Sequence, residues 1–143
     1  MQKISIASDH NGVNLKDKIR QYLEVAKYEI VDFGPLDSVE AVDYPDYAQK
    51  LCESIIDGEV SIGVLVCGTG IGMSIAANRH SGIRAALCVN SFMAERSRAH
   101  NDANILVIGS LISSEQDSIE MLKKFLHTSF EGGRHARRLS KIS

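Results

Sequence analysis

The sequence predicts an α/β fold in which a parallel sheet of five strands lies between two layers of helices. Short apolar runs alternate five times with longer amphipathic segments, the order expected when helices connect parallel strands. The third apolar run, residues 61–66, is rich in Ile, Val and Leu and lacks polar alternation. Such a run is typical of a strand that helices cover on both faces.

The first half of the chain supplies two strands and two helices. Residues 3–7 form the first predicted strand, and the apolar residues between 11 and 26 can share one face of a helix. Residues 29–33 form the second strand. The second helix is predicted over 45–57, because proline suits its first turn and Gly58 can end it.

The second half supplies three strands, three helices and a tail. The predicted ranges are 61–66, 84–89 and 104–108 for the strands and 70–79, 91–99 and 113–128 for the helices. Ser113 or Ser114 can cap the last of these helices, and one more short helix can follow the pair Gly132-Gly133. Neither a repeat nor a linker interrupts residues 1–143, which predicts a single domain.

The order of the strands decides which polar residues meet. A common order for five such units is 2-1-3-4-5, and we expect it here. Strands 1 and 3 are then neighbours at the topological switch point, and ligands bind beyond their carboxyl ends. Asp9 and His10 follow strand 1, and a glycine-rich turn that begins at Cys67 follows strand 3. These two polar strand exits should therefore share one cleft.

The composition argues against several classes of partner. The chain has 16 Lys and Arg against 18 Asp and Glu and lacks Trp, which argues against nucleic-acid binding. Residues 60–78 are uncharged, but glycines divide them into strand, turn and helix, so no membrane span is predicted. Three cysteines and an N-terminus without the apolar core of a signal peptide favour a reducing, cytoplasmic location.

The strongest functional signal is the turn Cys67-Gly68-Thr69-Gly70-Ile71-Gly72. Glycines at alternate positions let main-chain N–H groups approach an anion at the start of the next helix. Met73 excludes a dinucleotide fingerprint, which requires Gly at that position, and a Cys-based phosphatase loop, which requires Arg there. A Walker loop would need a Lys beside the turn, and the sequence has none nearby.

What remains is a thiol beside a cradle of main-chain donors. A thiolate at a helix N-terminus can take a proton from carbon, and the nearby N–H groups can hold the oxyanion that develops. These are the requirements of enediolate chemistry. The alternative is that Cys67 is a small buried residue and that the glycines only make a tight turn. No metal or cofactor is predicted, because no pair of His, Cys or carboxylate residues has ligand spacing near another such pair.

Three further polar clusters have simple structural alternatives. Asp9 can be a helix N-cap with His10 exposed, and His100 can be placed by a favourable interaction with a helix C-terminus. Arg134 and Arg138 lie one helical turn apart and suit a phosphate monoester. A solvated basic tail is the alternative for these two arginines.

Seven motifs, spread in order over nearly the whole chain, resemble those of the B-type ribose-5-phosphate isomerases. Each motif alone is weak, but the series is specific. The motifs are Asp9-His10, Asp43-Tyr44-Pro45, Cys67-Gly68-Thr69-Gly70-Ile71-Gly72, Ala76-Ala77-Asn78, Gly82-Ile83-Arg84-Ala85, His100-Asn101-Asp102 and Glu131-Gly132-Gly133-Arg134-His135. The wider family includes galactose-6-phosphate isomerase subunits and allose-6-phosphate isomerases.

The resemblance implies a Rossmann-like α/β/α sandwich that interconverts ribose 5-phosphate and ribulose 5-phosphate without a cofactor. This reaction belongs to the non-oxidative pentose phosphate pathway. The resemblance also implies a homodimer or a dimer of dimers, with active sites at the dimer interface. Residues 1–143 would then be one sugar-phosphate isomerase domain, and each site would draw on two chains.

The resemblance further implies a role for each matching residue. The catalytic residues would be Cys67, the base that moves the proton between C1 and C2, His100, which assists opening of the furanose ring, and Thr69, which contacts a sugar hydroxyl. The main chain of Gly68, Gly70, Ile71 and Gly72 would hold the enediolate oxygens. The remaining substrate contacts would come from Asp9, Tyr44 and Asn101 on the sugar and from His10, Arg134 and Arg138 on the phosphate.

Two positions relate this chain to branches of the family. One branch lacks the Cys and has a catalytic Glu at the position of Met73, so this chain belongs with the Cys branch. Many members have Arg where this chain has Leu111. That difference implies either a weaker anion site or a greater reliance on Arg134 and Arg138.

Three other functions remain open at this point. The substrate can be a six-carbon sugar 6-phosphate such as that of galactose or allose, which pocket depth would decide. A non-catalytic phosphosugar-binding module can use the same fold, although it would not need proton-transfer groups. A redox-sensing thiol would require Cys52 or Cys88 to approach Cys67 in space.

Overall fold

The computed structural model describes residues 2–142. Its strands are β1 (Lys3–Ser8), β2 (Glu29–Asp32), β3 (Ile62–Cys67), β4 (Ala85–Leu87) and β5 (Ile105–Gly109). Its α-helices are α1 (Val13–Val25), α2 (Tyr44–Ile56), α3 (Ile71–Asn78), α4 (Ser91–Asn101), α5 (Glu115–His127) and α6 (Arg134–Leu139). A short 3-10 turn, His10–Gly12, precedes α1.

The five strands form one parallel sheet in the order β2-β1-β3-β5-β4. The predicted fold class and the adjacency of β1 and β3 are confirmed. The predicted order of the last two strands is wrong, because β5 rather than β4 pairs with β3. A central strand must bury both faces; the apolar β5 is buried throughout, whereas the three-residue β4 stays half-exposed at the edge.

The core consists of two apolar layers, one on each face of the sheet. Alternate side chains of β3 pack into different layers. Val64 and Val66 belong to one layer, and Leu65 and Cys67 belong to the other. Fully burying a side chain of this size stabilises the fold by roughly 1.5–3 kcal/mol. This two-sided burial fixes the register of β3 and therefore the position at which Cys67 leaves the sheet.

A buried ion pair joins α1 to the end of β2. The ammonium of Lys16 is 1% exposed and lies 2.9 Å from both carboxylate oxygens of Asp32. Arg20 approaches the same carboxylate at 3.3 Å, and Asp32 also accepts a hydrogen bond of 2.8 Å from the N–H of Gly34. Since the carbonyl of Gly34 accepts from the N–H of Ser8, the pair supports the carboxyl end of β1.

We expect Lys16→Met to lower the free energy of unfolding by about 3 kcal/mol, because the Asp32 carboxylate would lose its buried partner. The effect should fall at the low end for a broken buried pair, since Arg20 still approaches the carboxylate. Urea denaturation followed by circular dichroism measures the change. Lys18→Met, which removes an exposed charge from the same helix, should cost less than about 0.5 kcal/mol. Equal stability of the two variants would contradict the prediction.

No helix within residues 2–142 is both long enough and apolar enough to cross a bilayer.

Candidate active site

Cys67 ends β3, one residue later than the sequence pattern predicted, and its side chain is only 5% exposed. The main-chain N–H of Gly70 donates to its Sγ atom at 3.2 Å. The thiol therefore faces the N-terminus of α3 and already has one main-chain donor.

Two glycines give the turn its shape. Gly70 is the N-cap of α3 with φ +82°, a left-handed conformation that side chains disfavour, and a Cβ there would collide with Leu87. A Cβ on Gly72 would lie 2.7 Å from the ring of Tyr44. The aromatic ring therefore lies directly against the main chain of the turn, and this contact places Tyr44 at the predicted site.

The N–H groups of the turn divide into bound and free donors. Gly70 N–H points to the Cys67 sulfur, and Ile71 N–H donates to Thr69 Oγ1 at 3.2 Å. The N–H groups of Gly72 and Met73 belong to the first turn of α3, whose donors have no acceptor within a helix. The cradle predicted from Gly68 to Gly72 thus already uses two of its donors internally, and the Thr69 hydroxyl and the Ile71 side chain are exposed.

A main-chain hydrogen bond joins the segment that follows β1 to the end of β3. The N–H of Asp9 donates to the carbonyl of Val66 at 3.1 Å. One oxygen of the Asp9 carboxylate accepts from the N–H groups of Asn11 (2.9 Å) and Gly12 (3.1 Å). The residue therefore has the capping role that the sequence left as an alternative, and its second oxygen is not needed for this cap.

His10 has a defined tautomer. Its Nδ1 accepts a hydrogen bond of 3.1 Å from the N–H of Val42, so Nδ1 has a lone pair and the proton of the neutral ring lies on Nε2. This arrangement leaves Nε2–H as a donor at the carboxyl end of the sheet. It also ties the loop before α2 to the end of β1.

Leu111, which the sequence analysis related to the anion site, lies at this turn together with Asn11, to which no role was assigned. The loop after β5 is fixed by hydrogen bonds from Ser110 N–H to Cys67 O (2.8 Å) and from Leu111 N–H to Gly68 O (2.9 Å). The exposed Leu111 side chain reaches to 3.4 Å, and the amide nitrogen of Asn11 to 3.7 Å, from the point where Gly68 would have a Cβ. Leu111 therefore belongs to the rim of the site.

His100 and Asn101 lie at the opposite end of the sheet, where its parallel strands begin. They end α4, just before β5 starts at Ile105 opposite the beginning of β3, whereas Cys67 pairs with Gly109 at the other end. The four residue steps from Gly63 to Cys67 along β3 separate the two ends of the sheet by about 13 Å, at about 3.3 Å per residue. One chain therefore does not bring Cys67 and His100 together.

His100 is surrounded by residues from the segment that leads into α6. Its ring stacks on that of His135, with centroids 4.1 Å apart and planes 10° from parallel. Glu131 lies beside both rings, and its N–H donates to the carbonyl of Ala99 at 3.0 Å. Arg134 and Arg138 are exposed on α6, which places them at this second edge as well.

The ligand atoms of His100, Glu131 and His135 lie within 4.8 Å of one another, a grouping that sequence spacing did not indicate. A metal ion binds an imidazole nitrogen in the plane of the ring. Because these two rings are nearly parallel, an ion in the plane of one lies outside the plane of the other. Their present orientation suits ring stacking rather than chelation.

The two other thiols of the described chain are enclosed in the core. Burial raises the pKa of Cys52 to about 12 and that of Cys88 to about 11. An acid with a raised pKa stays protonated below that pKa, so at pH 8 no more than about 10⁻³ of either thiol is the reactive thiolate. Both residues are therefore suited to packing rather than to chemistry.

We expect iodoacetamide at pH 8 to leave Cys52 and Cys88 unmodified in the folded protein, because both thiols are enclosed and protonated. Peptide mass spectrometry identifies the labelled sites, and the same treatment in urea should label all three thiols. Labelling of Cys52 or Cys88 without unfolding would contradict the assignment of both to the closed core.

Comparison with known proteins gives consistent matches over the whole chain. Residues 4–142 match the family model described as Ribose/Galactose Isomerase. Ribose-5-phosphate isomerase B of Escherichia coli is 41% identical over 143 residues, which cover all of this chain and 95% of the relative. The solved structure of the Clostridium thermocellum ribose-5-phosphate isomerase B has a TM-score of 0.97 at 48% identity, covering 99% of this chain and 95% of that one. The Mycoplasma genitalium enzyme, solved with bound ribulose-5-phosphate, has a TM-score of 0.94 at 39% identity, and the match covers 98% of this chain and 93% of that one.

Proposed function

The chain belongs to the ribose/galactose isomerase family, and on that premise we propose that it interconverts ribose 5-phosphate and ribulose 5-phosphate as an aldose–ketose isomerase. The observation that supports this most is the placement of the Cys67 sulfur. It lies at a helix N-terminus, 3.2 Å from a main-chain N–H, at the same end of the sheet as Asp9, His10 and Tyr44.

In the proposed reaction, Cys67 is the base. The thiolate takes the proton from C2 of the open-chain aldose, and the electron pair of that C–H bond forms the C1–C2 double bond of an enediolate. The former carbonyl oxygen at C1 becomes negative, and the N–H groups at the start of α3 stabilise it. The proton returns to C1, while the C2 hydroxyl gives up its proton to the C1 oxygen and becomes the ketone. The thiolate is restored.

The other predicted residues bind and orient the sugar. The exposed Thr69 hydroxyl and the free oxygen of Asp9 suit sugar hydroxyls, as does the amide of Asn101. The Nε2–H of His10 suits the phosphate, with the guanidinium groups of Arg134 and Arg138 as its main charged partners. Leu111 supplies no charge at the rim, which increases the importance of these two arginines.

A second copy of the chain completes the site in this proposal. Cys67 and His10 lie at the end of the sheet where its parallel strands finish, here called the carboxyl edge. His100 and Arg134 lie at the end where the strands begin, here called the amino edge. A homodimer with twofold symmetry can place the amino edge of one chain against the carboxyl edge of the other, twice. The helices flanking the edge strand β4 expose apolar side chains suited to such a contact: Ile71, Ile75, Phe92 and Met93.

The direct test is conversion of ribose 5-phosphate to ribulose 5-phosphate by purified protein in EDTA, without added cofactor. A folded sample that produces no ribulose 5-phosphate would overturn the proposal. Allose 6-phosphate and galactose 6-phosphate, compared by kcat/KM, test for a six-carbon substrate. Binding of all three sugars without turnover would instead indicate a phosphosugar-binding module. The free thiols fit a reducing compartment, and we propose the cytoplasm.

A further inference from the structure

We infer that Glu131 and His135 are positioning residues for His100, and that the three side chains act as one unit in opening the sugar ring. This inference rests on the proposed function, in which His100 assists ring opening. It extends that function to two residues that the proposed reaction does not otherwise use. The contacts of the cluster support the inference.

The Glu131 carboxylate lies across the edges of both imidazole rings. Its Oε2 atom is 3.7 Å from His100 Nε2, and its Oε1 atom is 3.5 Å from His135 Nε2. The hydrogen bond from Glu131 N–H to Ala99 O fixes its backbone to the helical turn that contains His100. A carboxylate beside one ring nitrogen keeps the proton on that nitrogen and stabilises the imidazolium that forms when the other nitrogen is protonated.

His135 restrains the plane of the His100 ring. It is 7% exposed, and its Nε2 atom has no hydrogen-bond partner among the described residues. Leaving such an atom unpaired costs free energy, so its retention against the His100 ring calls for an explanation. The parallel stacking at 4.1 Å supplies one, because it limits rotation of a side chain that is otherwise one-third exposed.

The surrounding charges disfavour a second positive charge on the histidine pair. Burial lowers the pKa of His135, and positive charge at His100, Arg134 and Arg138 lowers it further, while Glu131 raises it. A neutral His135 can remain stacked when His100 becomes an imidazolium. Two imidazolium rings at this separation would repel each other. Glu131 then neutralises the single positive charge.

Ring opening moves one proton from the anomeric hydroxyl to the ring oxygen. Nδ1 of His100 takes the proton of the C1 hydroxyl, and the electron pair of that O–H bond forms the C1 carbonyl. The C1–O4 bond breaks, its electron pair stays on O4, and O4 takes the proton from Nδ1. The histidine is regenerated with its Nε2 proton still facing Glu131. Both positioning residues therefore act on this step and not on proton transfer at C2.

The test compares a cyclic with an acyclic substrate. Ribose 5-phosphate must be opened, whereas 4-deoxyribose 5-phosphate has no C4 hydroxyl with which to close a furanose ring. We expect Glu131→Gln and His135→Ala to lower kcat for ribose 5-phosphate by about 10-fold to 100-fold, with KM within about threefold of the starting protein. Both variants should keep near-normal kcat for the acyclic sugar. His135→Phe, which retains a flat ring, should recover most of the activity that His135→Ala loses.

Two controls make the result decisive. Glu120→Gln and His127→Phe change an exposed carboxylate and an exposed imidazole of α5, outside the cluster, and should leave both substrates unaffected. Exchange of the C1 hydrogens of ribulose 5-phosphate with D2O, which needs no ring, checks the acyclic comparison. The ¹⁵N NMR shifts of His100 report its tautomer without reference to activity, and Glu131→Gln should change them.

Equal losses on the cyclic and acyclic substrates would overturn the inference, as would unchanged kcat in Glu131→Gln or an unaltered His100 tautomer. Failure of the proposed function is distinguishable from these outcomes. In that case the unmodified protein would convert neither sugar and would not exchange the C1 hydrogens.

Discussion

Replacing Cys67 by Ala should reduce kcat for ribose 5-phosphate by about 10³-fold, because the variant lacks the base that moves the proton between C2 and C1. KM should change by less than about threefold, since the sulfur contributes little to ground-state binding. The residual rate would reflect the main-chain donors and the bound sugar contacts, which the substitution leaves in place. Initial-rate measurements of ribulose 5-phosphate formation give both constants.

The controls for this variant address size and folding separately. Cys67→Ser keeps a similar volume but offers a hydroxyl that is not ionised near neutral pH, so it should be about as inactive as Cys67→Ala. Cys88→Ala changes another core cysteine and should keep its turnover. Binding of ribulose 5-phosphate by calorimetry should persist in Cys67→Ala. Turnover close to that of the starting protein in either Cys67 variant would place the base elsewhere.

The fold was predictable from local patterns, and the error in it has a local cause. Alternation of apolar runs and amphipathic segments specifies a parallel sheet but not which strand takes its centre. Residues 105–108 are all apolar, whereas Ala85 and Ala86 are small and follow Arg84. That contrast favours β5 for the buried position beside β3 and β4 for the edge, which is the order in the structure.

The carboxyl-edge half of the candidate site was also predictable, because it depends on strand ends. Once β1 and β3 are neighbours, Asp9 and Cys67 must leave the sheet side by side. The contact between Tyr44 and Gly72 was not accessible in this way. It depends on the path of the loop before α2, which the His10–Val42 hydrogen bond helps to fix.

The grouping of His100, Glu131 and His135 could not be predicted from spacing. His100 ends one helix, whereas Glu131 and His135 are separated by two glycines with positive φ that break the helical repeat. Their approach depends on the segment after α5 crossing the end of α4, a contact between elements distant in sequence. The sequence signal that existed was the proximity of Glu131, His135 and two arginines within one short segment.

The separation of the two halves of the site has a testable consequence for mixed oligomers. Cys67→Ala and His100→Asn should each be nearly inactive alone. After the two variants are mixed and allowed to exchange subunits, a mixed dimer has one site without either group and one site with both, since each site takes Cys67 from one chain and His100 from the other. Random exchange makes half of the dimers mixed, so we expect recovery of roughly a quarter of the activity of the unmodified protein.

A matched pair of variants on one edge distinguishes this result from other causes of recovery. Cys67→Ala and Thr69→Ala both alter the carboxyl edge, so every site in their mixed dimers has one defective turn and activity should stay low. If Cys67→Ala and His100→Asn also gave no recovery, although subunit exchange was shown by mass spectrometry of the intact complexes, the shared site would be refuted. His100 would then have to act from the same chain, across the roughly 13 Å between Gly63 and Cys67 along β3. Because that distance exceeds the reach of a histidine side chain, recovery is the outcome that the strand geometry favours.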